Sequence, residues 1–434
     1  MKPMSFKELH AFYEDQLFND ILRFWMRRGI DWEHGGFFTC FSNRGDRLLQ
    51  THKFAWSQGR FVWMLSRLAR TFKGQRPSGE VETWMKAAGL GADFLMRHVL
   101  LPDGTGSFVL SREGQPILLE PDGTPRAARE GESYHTSISA DLFVIYGIAE
   151  YCIAADDFHA YRWVRDLYDS VIHRYFQPSY PSWPYPVPDG YIVHGRPMML
   201  VELTHQMARA AEHFRDDRKA EFLKLGSDSI AEVLDKFRND DGTITEFWSA
   251  DPAKRDTMLG SYINPGHDLE SMWFIIHLAQ RLKQKERVEQ ALAVMQAAFR
   301  VGWDAPYGGL CQFVHRNGGQ PRGAVPPELE EAEMIKKLRG NWDNKLWWPH
   351  SEALYAMLLG YHLSGDKTFM DAYWQVHEYV YRTFPNPDRG IGEWIQIRDR
   401  QGAPVDKVVA LPVKDPFHIT RNYILCIDLL RAMA

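Results

Sequence analysis

Apolar residues recur along this chain at helical spacing in segments that come in pairs, and a glycine-led extended segment keeps returning between the pairs. Phe54, Phe61, Val62, Leu65, Leu68 and Ala69 form one such stripe, and Leu354, Met357, Leu358 and Tyr361 form another. Spacings of three, four and seven residues put these side chains on one helix face. The periodicity predicts helices near 6–28, 53–73, 80–98, 135–154, 157–176, 196–214, 216–237, 267–283, 285–301, 349–363, 366–384 and 417–433. Several pairs are joined by short acidic turns, as at Ala155-Asp156-Asp157, Arg215-Asp216-Asp217 and Ser364-Gly365-Asp366. Aspartate in such a turn accepts bonds from the unpaired N–H groups that open the next helix.

The longer connections carry the glycine-led pattern. It runs from Gly35 to Phe41 before Asn43-Arg44-Gly45, and from Gly106 to Leu110 before Arg112-Glu113-Gly114. It returns from Gly308 to Phe313 before Arg316-Asn317-Gly318, and from Gly392 to Ile397 before Asp399-Arg400 and Gly402. Alternating side chains followed by a glycine-containing turn predict β-hairpins. A unit of helix pair plus hairpin cannot bury its apolar stripe alone and must stack on its own repeats. Six pairs close naturally into a toroid, so the expected fold is all-α, an (α/α)6 barrel of about twelve helices. Its short β-hairpins would crowd the long loops at one end. An open stack of helical repeats satisfies the same periodicity. No Pro/Ser-rich linker divides the chain, so one catalytic domain over 1–434 is expected.

Composition narrows the function. Apolar residues make up 45%, charged residues 25%, the net charge is −5, and no Lys/Arg run exceeds two residues. Nothing here marks a partner for nucleic acid or for an anionic membrane surface. The segment MKPMSFKELHAFYEDQLFND lacks the apolar core of a signal peptide. Apolar stretches such as Trp273–Ile276 fall far short of the roughly 20 residues that span a bilayer. Cys40, Cys152, Cys311 and Cys426 are widely separated, which fits reduced thiols and a cytoplasmic location. There is no phosphate-cradling glycine loop, nucleophile elbow or H-E-x-x-H motif. None of the 17 histidines has ligand spacing on a helix, so no metal and no cofactor is expected.

Four clusters carry chemistry. In Asn264-Pro265-Gly266-His267-Asp268-Leu269-Glu270, the Asn-Pro-Gly turn launches a helix with His267 in its first turn. Glu270 lies three residues on and so on the same face, where it could orient the ring and raise its basicity. The run Lys414 to Arg421 opens another helix and contains His418. A histidine at a helix start also serves as a cap or a buried structural group. Two of them at separate helix mouths suit inversion of a stereocentre beside a carbonyl, which removes a proton from one face and returns it on the other. In Lys53-Phe54-Ala55-Trp56-Ser57-Gln58-Gly59-Arg60, Arg60 could stabilise an enediolate oxygen, or form an ordinary ion pair. In Lys345 to Glu352, Trp347 and Trp348 precede a carboxylate, Glu352, a combination suited to stacking a sugar and binding its hydroxyls.

Together these clusters resemble the N-acylglucosamine 2-epimerase family, whose mammalian members are also called renin-binding proteins. The matching stretches are GGFFTCFSNRGDRLLQTHKFAWSQGRFVWMLSRLAR, NPGHDLESMWFIIHLAQ, KLWWPHSEALYAMLLGYHLSGD and GEWIQIRDRQG with VKDPFHITRNYILCIDLL. The resemblance spans nearly the whole chain and is weaker in the middle third. It implies a metal-free 2-epimerase of N-acylglucosamine and N-acylmannosamine working through an enediolate. His267 and His418 would be the acid/bases, Arg60 the oxyanion partner, and Trp56, Lys53, Glu270, Trp347, Trp348 and Glu352 the substrate-binding set. A homodimer is common among such relatives, and mammalian members bind a nucleotide effector, for which no motif stands here. The wider family holds aldose–ketose isomerases and cellobiose 2-epimerases; Pro197-Met198-Met199-Leu200 resembles the N-acylglucosamine branch, with His194 and His205 nearby. The chain departs from the pattern at His418-Ile419-Thr420-Arg421, where the family commonly has His-x-Pro-Arg, and at Ala410-Leu411-Pro412-Val413, in place of a glycine-rich segment. An isomerase of mannose-type hexoses is the alternative within enediol chemistry. An inverting glycoside hydrolase built on Asp141, Glu270 and Glu352 is a further one.

Overall fold

A computed structural model of the chain describes residues 4–177, 179–406, 411 and 414–433. Its long helices are α1 (Phe6–Asp15, running through a π-helical turn Gln16–Ile21 into Leu22–Arg28), α2 (Ala55–Thr71), α3 (Ser78–His98), α4 (Ile138–Ala155), α5 (Phe158–Tyr175) and α6 (Gly195–His213). They continue as α7 (Lys219–Glu232), α8 (Pro265–Arg281), α9 (Lys285–Gly302), α10 (Trp347–Ser364), α11 (Lys367–Thr383) and α12 (Phe417–Met433). Each expected helical segment is present. The helices close into the (α/α)6 barrel. Even-numbered helices form the inner ring, each packed on the next, with α12 returning to α2. Odd-numbered helices lie outside against their partners, and α1 completes the circle on α12.

Position in the barrel accounts for the sequence of each helix. Inner helices are enclosed on all sides, so α10 is buried at every position from Pro349 to Gly360. Outer helices bury one stripe, as Phe369, Ala372, Tyr373, Val376 and Val380 do on α11. By length and composition α4 could cross a membrane, yet it is an inner helix that carries buried Asp141 and Glu150. The four cysteines are buried and unpaired.

The inner ring is tightest between α2 and α4. A Cβ added at Gly59 would meet the Phe143 carbonyl oxygen at 2.1 Å, and one at Gly147 would meet the Gly59 carbonyl oxygen at 2.2 Å. Only glycine allows these backbones to approach so closely.

The loops correct the sequence reading in one respect. Within the glycine-led segments a regular hairpin forms only where β1 (Val109–Leu110) pairs with β2 (Pro116–Leu119). The 41–48 and 398–404 segments close by single bridges. The recurring ladder instead joins one loop to the next. The two residues before α2, Lys53–Phe54, pair with Val109–Leu110, and Ile192–Val193 before α6 pairs with Phe247–Trp248. Tyr262–Ile263 before α8 pairs with Val314–His315, and Lys345–Leu346 before α10 with Ile397–Arg398. Inter-loop register thus fixes where four of the six inner helices, α2, α6, α8 and α10, start.

A buried ion cluster recurs with it. Lys53 Nζ lies 3.1 Å from Asp31, which Arg112 also binds at 2.9 Å. Lys345 Nζ lies 2.9 Å from Asp304, which Arg400 binds at 2.8 Å. In both repeats a glycine pair with positive φ, Gly35-Gly36 and Gly308-Gly309, follows the aspartate. Outside the ring, Tyr191, Phe247, Met258, Leu259, Tyr262, Phe313, Ile335 and Leu338 form a separate apolar cluster that roofs one side of the barrel mouth.

Replacing Gly59 by Ala is expected to destabilise the fold by about 1–3 kcal/mol through overpacking at the α2–α4 contact. Gly79→Ala, with open space around it on α3, is expected to be neutral or slightly stabilising. Urea midpoints at unchanged m-value test both.

Candidate active site

The first five inner helices each run by a short turn into their outer partner, and a long loop leads into every inner helix. The six inner helices therefore begin at one end of the barrel. Their first turns supply Trp56 and Arg60 (α2), Ser139 (α4), Arg196, Met198 and Met199 (α6), His267 and Glu270 (α8), Trp347 and Trp348 (α10) and His418 (α12) to a single cavity of ≈ 310 Å³. That volume falls in the range of small-molecule sites.

His267 is held by its helix start. Asn264 caps α8, its side chain accepting the His267 N–H, with Pro265 in the first turn. The ring's Nδ1 lies 2.9 Å from Glu246 Oε2. Burial pulls the imidazole down, but the Glu246 carboxylate outweighs it and the pKa ends above the ordinary histidine range. Glu246, buried on the loop before α8, stays ionised because His267, His194 and the Gly195 N–H opening α6 offset its desolvation.

His418 has a different setting. Its Nδ1 lies 2.7 Å from Glu352 Oε1, and Glu270 Oε1 is 3.7 Å away. Burial, with Arg421 and Arg60 nearby, pushes its pKa down to about 3, so the ring is neutral. Beneath it Arg421 bonds Glu270 and, at 2.7 Å, Glu352. Glu352 also accepts from Asn422 at 2.8 Å and from the Trp273 indole N–H at 2.7 Å. Removing one member of such a buried set leaves a charge uncompensated, at about 3–5 kcal/mol.

Trp348 joins the two sites. Its ring centroid is 5.3 Å from that of His267 and 5.5 Å from that of His418. The indole reaches this place because Gly266 leaves its space free: a Cβ there would meet the ring at 2.5 Å. Arg60 binds Asp415 at 2.7 Å and lies 4.0 Å over the Phe143 ring, while its Nε has no partner. Asp415 also accepts the Phe417 N–H at 2.7 Å, tying Arg60 to the start of α12.

The sequence reading therefore meets the structure unevenly. His267, His418, Arg60, Trp56, Glu270, Trp347 and Trp348 share the cavity. Lys53 does not. Its ammonium is buried on Asp31, on the Gly35 oxygen at 2.6 Å and on the Arg112 oxygen at 2.7 Å, and Lys345 repeats the device elsewhere. Glu352 is fully buried behind His418 rather than in the cavity wall. Glu270 bonds Arg421, and its charge also raises His267 from beyond contact. The partner of His267 is Glu246, which sequence reasoning missed. The signal was present in Asp241-Gly242-Thr243-Ile244-Thr245-Glu246-Phe247, a further copy of the glycine-led segment. Of the departures from the family pattern, residues 410, 412 and 413 lie outside the described residues.

Other readings of the cluster fare poorly. Donor atoms of Glu270, Glu352 and His418 converge within 4.8 Å, but the Arg421 guanidinium already sits on both carboxylates. An inverting hydrolase needs carboxyl groups about 6.5–9.5 Å apart with water between them, which this closeness does not provide. Asp141 is engaged by His135 at 3.1 Å and Arg174 at 3.2 Å, away from the cavity wall. His194 is buried behind Glu246 and bonded to Ser271 at 3.0 Å. His205 lies beside Glu202 further along α6.

An α/α barrel whose inner-helix starts gather paired histidines, arginine and indoles defines a class of carbohydrate isomerases and epimerases. Within it, this chain belongs to the N-acylglucosamine 2-epimerase (GlcNAc 2-epimerase) family, whose model matches residues 36–421. N-acylglucosamine 2-epimerase of Mus musculus is 30% identical over 96% of this chain and 91% of its own length. Among solved structures, a sugar epimerase from a ruminal bacterium superposes with a TM-score of 0.74 at 17% identity, covering 98% of this chain and 99% of its own. A D-mannose isomerase superposes at 0.70 and 16% identity, covering 97% and 98%.

Glu246→Gln tests the tuning of His267. Removing the carboxylate leaves burial opposed only by the Glu270 charge beyond contact, so the His267 pKa is expected to fall and the ring to stay neutral to lower pH. Nitrogen-detected NMR titration of His267 reads this, and an unmoved midpoint would refute the pairing.

Proposed function

We propose that this protein interconverts N-acylglucosamine and N-acylmannosamine, or a close analogue, by moving the C2 proton through an enediolate. The observation that carries the reading is the pair of imidazoles, each anchored through Nδ1 on its own carboxylate and both flanking one indole in one cavity. Anchoring at Nδ1 leaves each Nε2 to face the substrate. In one direction the neutral His418 takes the C2 proton, the C2–H electron pair moves into the C1–C2 bond, and the carbonyl oxygen becomes anionic. Arg60, with Nε unpartnered, supplies positive charge to that oxygen. His267, whose pKa Glu246 raises, then delivers a proton to the opposite face of C2. The return reaction exchanges the two roles, and the protein ends in its starting net protonation.

The remaining wall suits a sugar. Trp348 offers an apolar face, and the buried indole nitrogens of Trp56 and Trp347 have no acceptor within the protein. Glu270 can accept from a hydroxyl while Arg421 holds it in place. Met198 and Met199 add adaptable apolar surface for an acyl group.

Proton NMR of N-acetylmannosamine and mannose incubated in D2O tests the chemistry. Deuterium at C2 together with the epimer supports the proposal, a ketose product moves the protein to aldose–ketose isomerisation, and absence of exchange in any sugar overturns it. His267→Asn and His418→Asn are each expected to lower epimerisation by about 10²–10⁴-fold, the usual share of one acid/base. Each should still exchange the C2 proton of the epimer served by the surviving histidine. Wild-type epimerisation in either variant would remove that residue from the mechanism.

A further inference from the structure

A second concave site lies away from the cavity, where the last turn of α1 meets the loop before α12. It measures ≈ 230 Å³ and is lined by Arg23, Phe24, Arg27, Arg28, Gly390 and Ile391. Three arginines thus line one small pocket in a chain whose net charge is −5. Among the described residues, Arg23, Arg27 and Arg28 have no carboxylate within 4.0 Å. Two are nevertheless fixed: Arg23 donates to the Arg389 carbonyl and Arg28 to the Gly45 carbonyl. Backbone anchoring holds an arginine in place without neutralising it.

Neighbouring carboxylates are committed elsewhere. Asp388 accepts the Gly390 N–H at 2.9 Å and Asp46 is bound by the Ser42 hydroxyl, while Asp20 accepts the Glu393 N–H at 2.8 Å and reaches Arg23 only by its field, beyond contact. Basic residues do complement a helix C-terminus, which explains one charge there. It does not explain three converging on a pocket floored by glycine, where backbone allows close approach.

We propose that this pocket binds a small, multiply charged oxyanion of the phosphate class. Guanidinium forks match phosphate oxygens in pairs, and the pocket has room for one or two phosphoryl groups. The floor also leads to the cavity. Gly390 and Ile391 run into Glu393, which pairs with the buried Lys414, and Lys414 adjoins Asp415, the partner of Arg60. Glu393 holds a left-handed backbone conformation, φ 64°, that non-glycine residues rarely adopt. Occupancy of the pocket bears directly on this constrained link.

Isothermal titration of the full-length protein at low salt, with inorganic pyrophosphate and separately with glucose 6-phosphate, tests the site. Saturable binding of either is expected, with whichever binds tighter distinguishing a free from an esterified phosphate. Affinity should fall by about tenfold or more in Arg27→Ala and in Arg23→Ala, each removing a charged fork. It should be unchanged in His267→Asn and in Arg97→Ala, where the arginine is surface-paired with Asp93. Absence of saturable binding at millimolar concentration, or an equal loss in Arg97→Ala, would overturn the proposal.

Discussion

The direction of the inner helices is the constraint on which the rest depends. Short turns join the first five inner helices to their outer partners and a long loop leads into all six, so the long loops and the six inner-helix N-termini fall at one end. Each N-terminus presents unpaired N–H groups and the positive end of a helix dipole. That end is where Glu246, Glu270, Glu352 and Asp415 are buried, a set of anions that the opposite end would disfavour. The same field suits an anionic intermediate. The inter-loop ladders matter for a related reason, because they hold the starts of α2, α6, α8 and α10 in register with a neighbouring loop.

Within that frame the two histidines are made unequal by their partners. His267 contacts the buried Glu246 carboxylate, Glu270 adds attraction and Arg60 opposes it from further off, and against burial its pKa rises. His418 faces two carboxylates, but Arg421 bonds both of them, and burial prevails. Arg421 thus pairs with Glu270 and Glu352 in the interior and draws their attraction away from the ring above. Removing a proton and returning it elsewhere needs one group that begins able to accept and one that begins able to give. The sequence alone carries no trace of this inequality, since both histidines read as first-turn residues beside acids.

Much of the architecture was legible because an inner–outer helix pair has a strong periodic signature. The twelve segments and their closure follow from stripes such as Phe369, Ala372, Tyr373 and Val376. The loops were less legible. Two-residue ladders are set by contacts between segments more than fifty residues apart, which alternation within one segment does not encode. The site divided in the same way. Residues in helix first turns were found, because capping motifs mark them. Lys53 misled because a buried ion cluster and a sugar-binding lysine have the same local sequence, and only its repeat at Lys345 separates them. Glu246 was missed because it reaches His267 across 21 residues, from a loop with no catalytic motif of its own.

Under the proposed enediolate mechanism, the position of Trp348 bears on which outcome the cavity favours. An aldose–ketose isomerase can use one group that shuttles a proton between C2 and C1 on a single face of the intermediate. Inversion at C2 requires two groups on opposite faces of the same carbon. His267 and His418 come from helices on either side of α10, the helix that carries Trp348, and flank its indole at nearly equal distances, 5.3 and 5.5 Å. A sugar resting against that indole would present one carbon to both rings rather than two adjacent carbons to one. Gly266 is what lets the indole lie between them, since any side chain there would displace it. On this reading the smallest residue of the Asn-Pro-Gly-His turn governs the stereochemistry as much as the histidine beside it.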